Sequence, residues 1–166
     1  MDTELTQIGF GGGCHWCTEA VFDVLEGVDK VQQGWIAAEG TNSSYSEAVL
    51  VRFDPTRIPL KDLIHIHLLT HSSSSMHRFR KKYRSAIYTF SDHQAFEAKR
   101  CLVQLSKDNN AHYVTQVLPF RSFKLNQEKY QQYYLKHADK PFCKTYINPK
   151  LAKLRQQYAR YLKSSA

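Results

Sequence analysis

The chain has 166 residues, 42% apolar and 13% aromatic, which is one ordinary domain able to bury a core and excludes a disordered tail or a small disulfide-stapled toxin. Lysine and arginine outnumber aspartate and glutamate by 23 to 15, a net +8 with histidines neutral, so anionic partners come into consideration. No run of about 18 apolar residues occurs, and Met1-Asp2-Thr3-Glu4 is not a basic stretch leading into an apolar one, so the expectation is a soluble cytoplasmic protein with no signal peptide or membrane segment.

In chain order, Thr6 to Phe10 reads as a short strand, and glycines 11 to 13 allow a sharp turn that leaves Cys14 at a strand-to-helix junction. Trp16, Ala20, Phe22 and Leu25 recur at helical spacing until Gly27. Val28 to Ile36 and Tyr45 to Phe53 read as a hairpin, and Leu60 to Leu68 as an amphipathic helix ended by the serine run 72–75. Tyr83 to Phe90 is the next strand, Asp92 to Ser106 the next helix, and Tyr113 to Leu118 a last strand halted by Pro119. Asn126 to Lys136 looks helical, and Pro149 to Lys163 is a basic helix with proline in its first turn. The order β-α-β-β-α-β, followed by a helix and a final strand, predicts an α+β fold. Its form would be a two-layer sandwich of the split β-α-β (ferredoxin-like) type, with helices on one face of a mainly antiparallel sheet. Neither a repeat nor a linker is visible, so 1–166 is expected to be a single catalytic domain with 138–166 as a basic C-terminal extension.

The sharpest chemical feature is Gly11-Gly12-Gly13-Cys14-His15-Trp16-Cys17. A thiol becomes nucleophilic on ionising, and the first turn of a helix favours the thiolate through its free N–H groups and positive dipole end. Cys17 lies three residues on, within disulfide reach in the thioredoxin manner, and could resolve an oxidised Cys14. Haem attachment is excluded because Thr18, not histidine, follows the second cysteine. Zinc lacks a second C-x-x-C, and His65 and His67, two apart on a helix, do not face each other, so no metal is expected. The Arg78 to Arg84 cluster, with Lys150, Lys153, Arg155, Arg160 and Lys163, carries no nucleic-acid motif and reads as a solvated basic face.

Gly13-Cys14-His15-Trp16 with Glu19 resembles the signature of the type A methionine sulfoxide reductases, the peptide-methionine (S)-S-oxide reductase family. The similarity continues through Ser46-Glu47-Ala48-Val49, Phe53-Asp54-Pro55, Tyr83-Arg84-Ser85-Ala86-Ile87, the Glu128 to Tyr134 segment, Pro141-Phe142-Cys143 and Ile147-Asn148-Pro149-Lys150-Leu151. The resemblance implies that Cys14 attacks the sulfoxide sulfur, Glu47 protonates its oxygen and Tyr83 hydrogen-bonds that oxygen. An acid in an apolar pocket, where burial disfavours the charged form, suits so weak a leaving group. Trp16 would wall the S-methyl group, and Cys17 or Cys143 would condense with the sulfenic acid left on Cys14 before a thioredoxin-like reductant restores the thiols. No cofactor and no partner beyond reductant and sulfoxide substrate are implied, and a monomer is expected.

The chain departs from the family pattern around this pocket. His15 stands where the family has Phe in the methyl box, the loop 38–44 is short, and Tyr45 is the residue that could replace a second oxygen-binding tyrosine. Arg78 to Lys82 replaces an acidic, glycine-bearing stretch, and Gln131 stands in place of a histidine. The function expected is thiol-dependent sulfoxide reduction. A C-x-x-C thiol-disulfide oxidoreductase, or a reductase for an anionic sulfoxide, is the first alternative and a non-catalytic binding relative the second.

Overall fold

The computed structural model describes residues 4–71, 73 and 82–163. Ser72, Ser74, Ser75 and the basic stretch 78–81 lie outside the described residues. Strand β1 (Thr6–Gly11) leads into helix α1 (His15–Asp23), and β2 (Val28–Ala38) and β3 (Ser46–Phe53) form the expected hairpin. Helix α2 (Leu60–Leu69), strand β4 (Ala86–Thr89), helix α3 (Asp92–Asn109) and strand β5 (Gln116–Leu125) follow. Local chemistry sets the ends of α3: the Ser91 side chain accepts the Gln94 N–H at its start, and Asn110, in the left-handed region at φ 47°, closes it.

The assembly overturns the two-layer ferredoxin-like sandwich. The strands form a closed five-stranded barrel in the order β1-β3-β2-β5-β4, with β4 and β5 parallel and the other pairs antiparallel. The cause is β5, which does not stop at Pro119. Its first part pairs with β4 through Thr89 opposite Pro119, and from Phe120 onward it pairs with β2 across a register shift at Ala37 and Ala38. Pro119 therefore sits where the strand changes neighbours, a position at which a missing N–H is tolerated. Its carbonyl accepts the Glu39 N–H at 3.0 Å.

Closure of so small a barrel requires small inward residues. Tyr88, Ile36 and Leu50 fill the interior among Ala38, Ala48 and Ala86. A Cβ on Gly9 would come within 2.7 Å of the Ile36 Cδ1 and 2.9 Å of the Tyr88 Cβ. Arg84 is buried at this barrel with its guanidinium on the Ile36 and Ser44 carbonyls and the Tyr88 hydroxyl, so among the described residues its charge is solvated by oxygens without a carboxylate.

The other face of the sheet carries the main core. Ile8, Phe10, Val49 and Val51 pack against Phe22 of α1 and Leu63, Ile64 and Ile66 of α2, each full burial contributing about 1.5–3 kcal/mol. Phe10 and Phe22 stack at 4.8 Å.

The C-terminal third wraps over the same core. The expected helix over 126–136 is instead a 3₁₀ turn at Glu128–Tyr130, a left-handed Gln132 at φ 54°, and a short α4 (Tyr133–His137). A single π-helical turn, Cys143–Ile147, runs into α5 (Asn148–Gln157), which ends short of Lys163. Cys143, Ile147, Leu151, Leu154 and Tyr158 join the core, and Lys150 and Lys153 donate to the Thr70 and Leu69 carbonyls at the negative end of α2. Among the described residues no helix is long and apolar enough to cross a membrane.

Candidate active site

The turn after β1 is built on glycine for a specific reason. Gly12 has φ +151°, and a Cβ there would fall 2.5 Å from the His71 ring. That ring stacks on His67, whose Nε2 is 2.8 Å from the Gly11 carbonyl, and His71 Nε2 meets the Ser85 hydroxyl at 2.8 Å. The turn thus rests on two histidines and delivers Cys14 to the N-cap of α1, where its carbonyl accepts the N–H groups of Cys17 and Thr18.

Cys14 is half-buried and holds its proton less tightly than an ordinary thiol. The largest cause is a hydrogen bond from the Cys17 thiol; burial opposes it, the N–H of Trp16 assists, and the charge of Glu47 opposes. The buried Cys17 is pushed in the opposite direction, first by that same bond and then by desolvation. The two thiols are thereby pushed in opposite directions, with the shared proton held by Cys17. Cys143, fully buried on the π-helical turn, is raised by burial first, and the charges of Asp139 and Cys14 add to it.

Glu47 reaches the site from β3 and is 7% exposed. Its Oε1 accepts the His15 N–H at 3.4 Å and lies 3.2 Å from His15 Nε2, while Oε2 lies 3.7 Å from the exposed Lys82 ammonium. The His15 Nδ1 donates to the Gly34 carbonyl at 2.8 Å, and the ring packs edge-on to Trp35 at 5.2 Å. Tyr83 follows Lys82, which sits 5.1 Å over its ring, and the Lys82 carbonyl accepts from the Glu47 N–H and the Ser46 hydroxyl. Cys14, His15, Glu47 and the Lys82-Tyr83 corner are therefore brought together, with Cys17 beneath. Tyr45 is placed differently: its ring is 49% exposed and its hydroxyl meets Ser122 on β5 at 3.0 Å.

Trp16 is walled by the C-terminal third. Tyr133 stacks on it at 4.0 Å, Tyr130 at 5.7 Å, and Phe142 meets it edge-on at 5.5 Å. Glu19 holds this wall, accepting the Gln132 N–H at 2.9 Å, the Tyr133 N–H at 3.2 Å and the Gln33 Nε2 at 2.8 Å. Gln33, fully buried on β2, also bonds Tyr130, Asn126 and Gln131. Gln33 and Asn126 carry no local pattern that marks them as parts of a site; Tyr130 and Tyr133 fall in the Glu128 to Tyr134 segment that resembles the family, with no role attached to either, and Gln131 stands out as a departure from that pattern. Among the described residues no group of three or more His, Cys, Asp and Glu could hold a metal ion.

The chain is similar to known proteins. A family model described as "Peptide methionine sulfoxide reductase" matches residues 6–162. The "Peptide methionine sulfoxide reductase MsrA" of Deinococcus radiodurans is 35% identical over 168 residues, covering 92% of this chain and 82% of that protein. The reduced crystal structure of Mxr1 from Saccharomyces cerevisiae superposes with a TM-score of 0.71 at 19% identity, over 88% of this chain and 93% of that one. Mxr1 crystallised in complex with Trx2 matches with a TM-score of 0.59 at 18% identity, over 80% and 89% of the two chains.

Proposed function

From the premise that this chain belongs to the peptide methionine sulfoxide reductase family, we propose that it reduces the S-epimer of methionine sulfoxide with Cys14 as nucleophile. The activity is that of an oxidoreductase, thiol-dependent methionine sulfoxide reduction. The observation that carries the assignment of roles is the meeting of Cys14, at the start of α1, with Glu47, pinned from β3 by the His15 backbone and ring.

In the first step the Cys14 thiolate forms an S–S bond to the sulfoxide sulfur while the sulfoxide oxygen takes a proton from Glu47. The S–O bond then breaks and the oxygen passes to Cys14 as the transient S–S bond parts, giving a sulfenic acid and the methionine thioether, so the sulfoxide is reduced by two electrons and Cys14 oxidised by two. Tyr83, whose ring lies under the Lys82 ammonium that also approaches Glu47, is the hydroxyl for that oxygen, and Trp16 with His15 receives the methyl group. The Cys17 thiol then attacks the sulfenic sulfur, a disulfide forms and water departs. Cys17 is preferred to Cys143 because it already donates to Cys14, while Cys143 is 0% exposed on the π-helical turn. A dithiol of thioredoxin type returns two electrons and two protons; the Mxr1 complex with Trx2 supports that choice. We place the reaction in a reducing cytoplasm, for which the free C-x-x-C thiols are the support, and assign it to a single catalytic domain acting as a monomer.

A single-turnover assay of the reduced protein with separate S- and R-epimers of a blocked methionine sulfoxide tests the reading. It expects one methionine per protein from the S-epimer and two thiols lost, with one lost in Cys17→Ala. Equal yields from both epimers, or two thiols still lost in that variant, would sink the corresponding assignment.

A further inference from the structure

His15 is the polar residue in the methyl box, and its hydrogen bonds leave little freedom about where its protons are. The Gly34 carbonyl can only accept, so Nδ1, 2.8 Å away, carries a proton whether the ring is neutral or charged. The second nitrogen, Nε2, faces Glu47 Oε1 at 3.2 Å. A bare ring nitrogen and a bare carboxylate oxygen are both acceptors and would repel at that distance, so a single proton lies between them.

A run of buried amides indicates its side. Gln33 Nε2 is committed to the Glu19 carboxylate and the Tyr130 carbonyl, which turns Gln33 Oε1 toward Asn126. Asn126 Nδ2 donates to that oxygen at 2.9 Å, while Asn126 Oδ1 accepts the Gln127 N–H at 2.8 Å, so the amide is locked from both ends. The same Nδ2 lies 3.5 Å from His15 Nε2. A ring N–H at Nε2 would face this amide donor to donor, which favours the neutral ring and leaves its one Nε2 lone pair to the nearer Glu47 proton.

We propose that His15 is a positioning residue that forms a one-proton dyad with Glu47, with Asn126 orienting the ring so that the shared proton stays on the carboxyl until the sulfoxide oxygen takes it. This rests on the assignment of Glu47 as the acid above. Among the described residues the charged groups facing the ring are Glu47 from β3 and Lys82 from the segment before β4; Trp16 of its own helix, Trp35 of β2 and Asn126 after β5 are uncharged. Burial disfavours the imidazolium and outweighs the Gly34 carbonyl and the Glu47 charge, and Lys82 adds to it. In the step itself Glu47 loses its proton to the oxygen as the S–O bond breaks, and the dithiol that reduces the disulfide returns it.

The test combines ¹⁵N NMR of the His15 ring in the reduced protein across pH with single-turnover rates, for the wild type, Glu47→Gln, His15→Phe and His15→Gln. At neutral pH the ring is expected neutral, with Nδ1 protonated and Nε2 accepting, and its titration midpoint moves by about one pH unit or more in Glu47→Gln. The alkaline limb of the single-turnover rate should move to lower pH in both His15 variants, because neither Phe nor Gln can share a titrating proton. The Gln variant separates this from loss of ring packing. A ring that titrates identically in Glu47→Gln, or that is protonated on Nε2 alone, overturns the dyad. An unmoved alkaline limb in both His15 variants overturns its role, and wild-type turnover by Glu47→Gln would instead remove the acid assignment itself.

Discussion

The indole of Trp16 and the ring of Tyr133 lie 4.0 Å apart and within 10° of parallel, although 117 residues separate them in the chain. Helix α1, with Cys14 at its N-cap, therefore has its outer wall supplied by the C-terminal third. The join is electrostatic: Glu19, one turn beyond Trp16, accepts the two backbone N–H groups that start α4. Burial raises the Glu19 carboxyl, and the three hydrogen bonds it receives oppose that rise.

Removing that carboxyl should be costly. In Glu19→Ala the Gln33 amide and two backbone donors lose their partner inside the protein, a loss of about 2–3 kcal/mol. Urea unfolding would measure it, and Glu19→Gln, which keeps an accepting oxygen, should lose less. Because Tyr133 would loosen from Trp16, KM for the sulfoxide is expected to rise in the alanine variant.

Cys14→Ser should release no methionine above background in single turnover, since a hydroxyl lacks an accessible anion and no other thiol sits at the helix N-cap. Chromatographic counting of methionine checks this.

The thiol pair makes a signed pH prediction. The Cys14 thiol is lowered chiefly by the Cys17 hydrogen bond, so Cys17→Ala should move the pH midpoint of Cys14 alkylation by iodoacetamide upward. Alkylation would then be slower at neutral pH and recover at higher pH, where the thiolate forms without help. Cys143→Ser should leave that midpoint near its wild-type value.

Gly12→Ala forces a side chain into both a left-handed backbone and the His71 ring. A loss of about 1–3 kcal/mol is expected in thermal or urea unfolding. Turnover should fall as well, because the turn that shifts is the one presenting Cys14. An unchanged melting temperature would mean that the turn does not rest on His71.

Local signals in the chain reach far into this protein. Three glycines before Cys14 announce a sharp strand-to-helix turn, helical spacing from Trp16 onward places the thiol at a helix start, and Cys17 three residues on completes the redox pair. These features depend on neighbours within one turn of helix, so sequence alone determines them, and the resemblance to the family is what points to Glu47 and Tyr83 beside them. What the tertiary structure decided are long-range pairings. Pro119 reads as the end of a strand, yet β5 passes through it to leave β4 for β2 and close a barrel, because only the fold reveals that the proline's missing donor falls where the strand changes partners. Gly9, ordinary in sequence, is required by Ile36 of β2 and by Tyr88, its partner on the neighbouring strand β4. His15 reads as a polar intruder in an apolar box; its meaning comes from Glu47, 32 residues away, and Asn126, 111 residues away. Hydrogen bonds between groups so far apart have no period or spacing in the chain, so packing alone brings them together and sets the position of the proton.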